Sequence, residues 1–186
     1  MESFSVDNDK IDEVVQEMLV IRKYTDIVRE TDKPYRFSCL NGTKKVVVTY
    51  IFNRKKLPLI FKKYIEEFSE KDYHHIIILY NAPSSLFKKI VQPYNVELFS
   101  KQFMKINITK HYLVPKHTLI KNTSNEIQDI MEEYQLQKPE QLPLILSTDP
   151  ITQFYGAQVG DIFKITRPSQ TNGTYTTYRY VNTKIY

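Results

Sequence analysis

The chain has 186 residues, a formal net charge of +5 and a single cysteine. Its apolar fraction of 41% is ordinary for a globular protein, so we expect a folded core. No apolar run approaches the roughly 20 residues that a membrane-spanning helix needs, and the acidic N-terminal segment does not fit a signal peptide. The lone Cys39 excludes an intrachain disulfide, fits a reducing compartment, and is predicted to be a small buried residue on a strand.

Basic and acidic residues are segregated along the chain. Residues 33–63 carry nine lysines and arginines and no acid, and residues 84–121 carry seven lysines against Glu97 alone. The acidic segments are residues 1–32, 64–83 and 122–150. Such segregation favours an electropositive face near a polyanion, although a solvated lysine surface without a partner has the same composition.

The first predicted element is an amphipathic helix over residues 7–24, capped by Asp7 or Asn8. Its face consists of Ile11, Val14, Val15, Met18, Leu19 and Arg22. We expect this face to pack on the core of the protein, although a face for a partner helix would have the same spacing.

A hairpin, a helix and a buried strand are predicted next. Residues 35–40 and 45–52 are strand-like, and Asn41-Gly42 between them is a strong turn signal. Residues 56–69 return to helical spacing. Residues 75–80 form a continuous apolar run, which is short enough for a strand buried on both faces.

A second helix begins near Ala82-Pro83-Ser84-Ser85, with Pro83 close to its first turn. Its apolar positions are Leu86, Phe87, Ile90 and Val91. Another short strand follows at residues 96–99. This order of helices and strands predicts an α/β layer domain over residues 1–105.

The second half begins with residues 106–113, which are predicted to form a strand or an extended link. A helix capped by Ser124 is expected to follow and to end at Lys138-Pro139. Its apolar positions are Ile127, Ile130, Met131 and Tyr134. The domain boundary is predicted near residues 105–111, without a Gly/Ser linker.

Residues 142–146 form a short apolar run in which Pro143 favours an edge strand or the start of a strand. Asp149 offers a side-chain oxygen to free amide groups, and Pro150 fits the first position of a helix. That helix is predicted to end at Gly156, which can adopt a left-handed conformation.

The last predicted pair of strands forms a hairpin. Residues 162–167 alternate with the period of a half-buried strand, which Pro168 is expected to stop. Asn172-Gly173 is a tight-turn signal, and residues 174–181 are predicted to return as a strand.

Several of these motifs, in this order, resemble the C-terminal assembly domain of the fifth subunit shared by the eukaryotic nuclear RNA polymerases, a family with a counterpart in the archaeal RNA polymerase. The motifs are Asn107 to His117, Leu142-Pro143, Asp149-Pro150, Phe154-Tyr155-Gly156, Gly160 to Ile165, Arg167-Pro168-Ser169, Asn172 to Tyr175 and Tyr178 to Val181. The preceding part resembles the N-terminal jaw domain of that family. The resemblance implies an α/β jaw domain over residues 1–105, followed by a small mixed α+β assembly domain over residues 106–186.

The resemblance also implies a role and a set of site residues. It implies a non-catalytic subunit of a multisubunit DNA-dependent RNA polymerase that docks on the largest subunit and helps to hold downstream double-stranded DNA. The stretch that contains Pro83, Ser84 and Ser85 resembles the family's loop near downstream DNA, so these three are candidate DNA contacts. The distribution of basic residues adds Lys88, Lys44, Lys45, Lys55 and Lys56 as candidate phosphate contacts. The candidate contacts to the largest subunit are Pro143, Asp149, Pro150, Tyr155, Gly156, Arg167, Gly173, Tyr175, Tyr178 and Arg179.

We predict no metal, cofactor, small-molecule substrate or enzymatic activity. Adjacent His74 and His75 on a strand would point to opposite faces, and His111 and His117 lack partners for a four-ligand set. The sequence has neither a nucleophile motif nor a glycine-rich phosphate loop.

The expected partners are the largest subunit, other polymerase subunits and DNA, with no membrane. The expected location is the nucleus for a cellular protein, or host cytoplasm and virion for a viral one. The alternative function is a stand-alone basic transcription regulator that binds nucleic acid or polymerase transiently. The tail from Asn182 to Tyr186 has no predicted role.

Overall fold

A computed structural model describes residues 6–31, 36–52, 56–68, 73–169, 171 and 173–184. Lys55 and Asn172, which have predicted roles, lie outside these ranges. The chain divides into two compact units, Met1–Ile106 and Asn107–Tyr186. Among the described residues, no helix combines the length and the apolar character needed to cross a membrane.

In the described part of the first unit, helices pack on a five-stranded sheet. Its elements are α1 (Val6–Ile21), β1 (Thr25–Arg29), β2 (Arg36–Asn41), β3 (Lys44–Ile51), α2 (Leu57–Glu67), β4 (His74–Leu79), α3 (Ser85–Val91), β5 (Val96–Ser100) and a 3-10 turn at Phe103–Lys105. The strands lie in the order β1-β2-β3-β4-β5. The pairs β1-β2 and β2-β3 are antiparallel, whereas β3-β4 and β4-β5 are parallel and are connected by α2 and α3.

The two faces of this sheet carry different helices. On one face, Ile77 of β4 packs with Phe61 of α2 and Phe87 of α3. On the other face, the guanidinium of Arg22, just after α1, lies over the Phe99 ring of β5. Because both faces are covered, β4 is buried on both sides, as its continuous apolar run predicts.

The predicted packing face of α1 is confirmed. Its buried apolar members are Ile11, Val14, Val15, Met18 and Leu19. The predicted caps Asp7 and Asn8 lie in a stretch whose side chains fall outside the described residues. The buried face therefore serves the core of the first unit.

Two details of the sheet differ from the sequence analysis. β1 was not predicted, because its residues are mostly exposed and show no apolar alternation; it forms by pairing with β2 along the edge. The β2-β3 hairpin is confirmed, but Asn41 pairs with Lys44, so the turn residues are Gly42 and Thr43. Gly42 has a φ of +61°, which a residue without a Cβ adopts at little cost.

In the second unit, the described residues form a four-stranded sheet with a helix on each face. Its elements are a 3-10 turn at Ile108–Lys110, β6 (Lys116–Ile120), α4 (Glu126–Glu133), a 3-10 turn at Pro139–Gln141, β7 (Leu144–Leu146), α5 (Pro150–Tyr155), β8 (Ile162–Ser169) and β9 (Gly173–Asn182). The strand order is β6-β8-β9-β7, in which only the β7-β9 pair is parallel. The predicted mixed α+β fold class is confirmed.

β8 corrects the prediction of a half-buried strand that stops at Pro168. Ile162 packs with the α4 side and Phe163 with the α5 side, so the first half of β8 is buried on both faces. The strand continues to Ser169, with Pro168 opposite Thr174. Proline is tolerated there because pairing with β6 ends at Thr166, so no neighbour on that side needs its missing N–H.

The boundaries of α4 also differ from the prediction. The helix ends at Glu133 rather than at Lys138-Pro139, because Gln135 adopts a φ of +52° and the Leu136 amide donates to the Met131 carbonyl. Pro139 instead opens a 3-10 turn. At the other end Asn125 occupies the cap position, although the Ser124 Oγ does accept from the Glu126 amide.

The segment 106–113 is not a strand. The Asn107 side chain accepts a hydrogen bond from the Thr109 amide at 2.9 Å, which favours a turn over an extended chain. A 3-10 turn forms at Ile108–Lys110, and β6 begins only at Lys116. The apolar residues of this segment therefore mark a turn that leads into the second sheet.

Candidate nucleic-acid interface and assembly surface

The parallel strands of the first unit bring three loop residues together at their carboxyl ends. Phe52 follows β3, Tyr80 follows β4 and Lys101 follows β5. The Lys101 Nζ lies 5.4 Å from the centroid of the Phe52 ring and 5.8 Å from that of the Tyr80 ring. These cation–π contacts hold a positive charge at this edge of the sheet.

The same edge holds part of the predicted DNA-contact set. A cavity of about 330 Å³ there is lined by Lys56, Tyr80, Pro83 and Ser84, among other residues. Lys56 is exposed and caps α2 in a left-handed conformation with a φ of +58°. The backbone therefore turns sharply at Lys56, which lines the same cavity as Ser84 at the start of α3.

Ser84 is the N-cap of α3, and its Oγ accepts from the Phe87 amide at 3.2 Å. Pro83 therefore lies directly before the cap, close to the first turn of the helix, as the sequence predicts. Ser85 and Lys88 are exposed on α3, which has only seven residues. The Ser84 oxygen thus has a structural role, and its hydroxyl hydrogen remains the group that can face a phosphate.

The structure does not bring all the predicted DNA contacts together. Lys44 and Lys45 stand at the start of β3, at the end of the sheet opposite to Lys56. β3 itself, with eight residues, spans about 23 Å at 3.3 Å per residue. The predicted basic residues thus form two patches.

Lys101 is a member of the edge patch that the sequence analysis missed. Its signal was available, because the residues that follow parallel strands collect at one edge of the sheet. The sequence predicts the three strands but not that they pair in parallel, and only parallel pairing brings Phe52, Tyr80 and Lys101 to one edge.

A buried ionic network lies under the α1 side of the sheet. The Arg22 guanidinium donates to both carboxylate oxygens of Glu97 at 3.1 and 2.8 Å, and the His74 Nε2 lies 3.0 Å from the same carboxylate. Burial opposes ionisation of Glu97, but the close approach of His74 and the Arg22 charge outweigh it and lower the pKa of Glu97 to about 2. The negative charge of Glu97, the only acid among residues 84–121, is therefore balanced by Arg22 inside the fold.

His75 points to the other face, as the alternation along a strand predicts. The Tyr64 hydroxyl lies 2.8 Å from the His75 Nδ1. Burial, and then the electrostatic influence of His74 and of the Arg36 charge, lower the pKa of His75 to about 4. Within the described ranges, no three His, Cys, Asp or Glu side chains are grouped as metal ligands.

The second unit gathers four of the predicted assembly residues on the α5 face of its sheet. Arg179 lies opposite Phe163, and Arg167 lies opposite Tyr175, so the side chains of both pairs share one face. Arg167 and Arg179 are exposed, and Tyr175 is 58% exposed. The fourth predicted residue, Tyr155 of α5, packs edge-on against the Phe163 ring.

Tyr155 anchors α5 to this sheet. Its ring lies 5.4 Å from the Phe163 ring, and its hydroxyl donates to the His117 carbonyl at 2.9 Å. Burial raises the pKa of Tyr155 and lowers that of His117, so both side chains stay neutral near pH 7. The arginines thus project from a rigid support.

Three further residues of the predicted set fix the ends of α5. The Asp149 Oδ1 accepts from the Ile151 amide at 2.8 Å, and Pro150 occupies the first helical position. Gly156 ends the helix with a φ of +62°. The predicted cap, start and stop of this helix are confirmed.

The other predicted assembly residues lie elsewhere in the second unit. Tyr178 is on the α4 face, where its ring lies 5.7 Å from that of Tyr134. Pro143 precedes the edge strand β7, and its carbonyl accepts from the Tyr180 amide. Gly173 starts β9 with a φ of +71°. These three do not join the arginine face.

Comparison with known proteins identifies the family. Residues 106–181 match the family model described as RNA polymerase Rpb5, C-terminal domain. The chain is also 34% identical over 156 residues to the DNA-directed RNA polymerases I, II, and III subunit rpabc1 of Dictyostelium discoideum, an alignment that covers 80% of this chain and 72% of that protein. The chain belongs to the Rpb5 family.

Two further relatives of the Rpb5 family are the subunits named RPABC1 of Caenorhabditis briggsae and Caenorhabditis elegans. Each is 41% identical over 88 residues, which cover 47% of this chain and 40% of the relative. The Rpb5 domain match contains every predicted assembly residue, whereas the predicted DNA contacts precede it. The family resemblance inferred from the motifs is confirmed.

Proposed function

We propose that this chain is a non-catalytic subunit of a multisubunit DNA-directed RNA polymerase. Its named relatives are subunits of RNA polymerases I, II and III, so other polymerase subunits are its partners. Residues 106–186 act as the assembly domain and residues 1–105 as the jaw domain. The subunit resides in the nucleus with a cellular polymerase, or in host cytoplasm and virion with a viral one.

The α5 face of the second unit docks on the largest subunit. The observation that supports this is the exposure of Arg167, Arg179 and Tyr175 on the same sheet face as Phe163, which packs with α5. Arginine and tyrosine are the residue types that contribute most to interfaces, and rigid strands lower the entropy lost on binding. Asp149, Pro150 and Gly156 act by holding α5 in place beside them.

The first unit contacts downstream DNA through phosphates. Lys56, Ser84 and Lys88 lie near the carboxyl edge of the sheet, which also carries Lys101, and such groups bind phosphate without reading bases. Lys44 and Lys45 contact a second DNA segment. Lys55 belongs to the proposed set by its place in the sequence.

Affinity purification of the tagged chain tests this function. A stoichiometric subunit co-elutes with the two large polymerase subunits through high salt, whereas a stand-alone regulator is substoichiometric and washes off. The double variant Arg167→Glu/Arg179→Glu is expected to lose co-elution. Its control is Lys116→Glu/Lys164→Glu, which reverses two charges on the opposite face of the same sheet. Equal loss of co-elution in both variants would show that the α5 face is not the interface with the largest subunit.

A further inference from the structure

The last strand of the second unit has an open edge beside the proposed docking face. β9 pairs with β8 from Gly173 to Tyr180, but β7 pairs with β9 only at residues 180–182. Within the described ranges, no backbone hydrogen bond joins residues 174–178 to a neighbour on the β7 side. This stretch is therefore an edge of the sheet, although the far end of β9 lies between two strands.

The backbone of β9 shows which residues point to this edge. The Tyr180 amide donates to the Pro143 carbonyl beside β7, whereas the Val181 amide donates to the Asp161 carbonyl just before β8. Backbone hydrogen bonds alternate in direction from one residue of a strand to the next, so every second residue before Tyr180 shares its direction. These residues are Thr174, Thr176 and Tyr178. Each of them offers an amide and a carbonyl to an added strand.

This edge lacks the features that usually block strand addition. Folded proteins commonly protect an open edge with a proline, a charged side chain or a bulge. Residues 174–178 are all threonine or tyrosine, which favour strands, and they pair with β8 in continuous register. By contrast, the edge strand β1 of the first unit has an irregular register between Thr25 and Val28, where Asp26 adopts a φ of +50°. The open edge of β9 is therefore suited to accept a further strand.

A strand added there lies in line with β7. Leu144 of β7 is opposite Tyr180, and the chain before it comes from the 3-10 turn at Pro139–Gln141, so β7 does not continue along residues 174–178. Those residues span about 17 Å at 3.4 Å per residue, which is the length of an ordinary strand. The stretch contains Tyr175 and ends next to Arg179, so it is continuous with the proposed docking face.

The side chains beside the edge define the chemistry of the added strand. Arg179 is exposed on the α5 face, with Arg167 on the same face of β8. On the α4 face, the Tyr178 ring lies 5.7 Å from the Tyr134 ring. Opposite charges and aromatic or β-branched pairs stabilise neighbouring strands. The strand that fits best therefore places an acidic side chain on the α5 face and an aromatic or β-branched one on the α4 face.

We propose that an extended strand of the largest polymerase subunit adds to β9 along residues 174–178. This inference rests on the proposed function and deepens it, because the added strand's backbone supplies affinity while its alternating side chains supply specificity. A second copy of β9 fits less well, since β9 contains no acid to face Arg179. The net charge of +5 also makes two copies repel each other.

Hydrogen exchange resolved to single amides by electron-transfer fragmentation tests the proposal. It compares the free chain with the affinity-purified polymerase that contains it. The amides of Thr176 and Tyr178 are expected to exchange at least about tenfold more slowly in the polymerase, because they gain a partner strand. The amides of Tyr175 and Thr177 point towards β8 and serve as internal controls that change less.

The outcomes separate this proposal from the proposed function. Unchanged rates at Thr176 and Tyr178 in a polymerase that retains the chain overturn strand addition and leave the proposed function standing. A chain that does not co-elute with polymerase overturns both.

A proline variant tests the same edge by co-elution. Thr176→Pro removes an edge amide and places a ring where the added strand would pair, and its retention on the polymerase at high salt is expected to fall at least about tenfold. The control is Lys184→Pro, at an exposed position beyond the end of β9, which is expected to leave co-elution unchanged. Slow exchange of the β8 amides in the free variant shows that the sheet is folded; if they exchange fast, the amide rates of the wild-type chain decide alone.

Two results with this variant overturn the proposal. One is retention of the folded Thr176→Pro chain at the wild-type level. The other is a concentration-dependent dimer of the free chain, seen by sedimentation velocity, that Thr176→Pro dissolves, because the edge would then bind a second copy.

Discussion

Replacing Glu97 by Gln removes the countercharge of a guanidinium that is almost completely buried. The Arg22 side chain is 2% exposed, and its guanidinium donates one hydrogen bond to each carboxylate oxygen of Glu97. Breaking a buried pair by neutralising one partner typically costs about 3–5 kcal/mol, since the other charge stays buried. Gln retains one acceptor oxygen, so we expect a loss near the lower value, about 3 kcal/mol.

The pKa of Glu97 gives a second route to this magnitude. A decrease from 4.5 to about 2 favours the ionised form in the folded protein and corresponds to about 3 kcal/mol. Because the folded pKa lies below the unfolded one, this stability is present above pH 4.5 and is lost as the pH falls towards 2. Both routes agree, and either loss is a large fraction of the stability of a small domain.

The assay must report on the first unit alone, because a chain with two units need not unfold in one step. Hydrogen exchange of peptides that cover β4 and β5, measured across a urea series, gives that local stability. Glu13→Gln, at an exposed position of α1, is the control and is expected to cost under about 0.5 kcal/mol. The double variant Arg22→Met/Glu97→Leu should recover most of the loss. A cost below about 1 kcal/mol for Glu97→Gln refutes the reasoning.

Three further predictions concern pH, charge and a turn. Between pH 7 and pH 5 the first unit should lose about 2 kcal/mol, because the pKa of His75 rises from about 4 to 6.5 on unfolding and the unfolded chain gains the proton. His75→Gln should remove this pH dependence, and an unchanged local stability of β4 and β5 at pH 5, measured by the same hydrogen-exchange assay, would contradict it. Changing Lys44, Lys45 and Lys56 to Glu, alone or with Lys55, should weaken DNA retention and flatten its salt dependence in filter binding, and an unaltered slope would exclude these residues from the DNA path. Gly173→Val should lower the free energy of unfolding by more than about 1 kcal/mol, because valine is strained at a φ of +71°. An added Cβ would meet no neighbour there, so the cost comes from the backbone conformation, and a melting temperature that does not fall would argue against that turn.

The sequence predicts local features of the second unit well, because they depend on neighbouring residues. Asp149, Pro150 and Gly156 define the cap, start and stop of α5 within one short stretch, and each is observed in its predicted role. The end of α4 is also a local feature, but the sequence does not predict it. Gln135 adopts a left-handed conformation there, and glutamine gives no signal for it.

Features that depend on distant residues were harder to predict. Helical spacing marks Leu86 and Ile90 as apolar but does not show that they line the edge cavity, because that depends on where α2 packs. In the same way, charge counts place Lys44 and Lys56 in one basic segment, whereas the course of β3 places them at opposite ends of the sheet. Burial of both faces of β8 also required knowing that α4 and α5 lie on different sides.

The position of β9 in its sheet has a consequence for how the two units form during translation. In the first unit each strand is added beside the one made before it, so its sheet can grow as the chain emerges. In the second unit β9 is made after the other strands, yet it lies between β8 and β7. Synthesis proceeds at about 5–20 residues per second, so β7 has no strand to pair with until β9 has been made. We therefore expect the first unit to resist protease in nascent chains that stop before β9, and the second unit to resist it only once β9 has emerged.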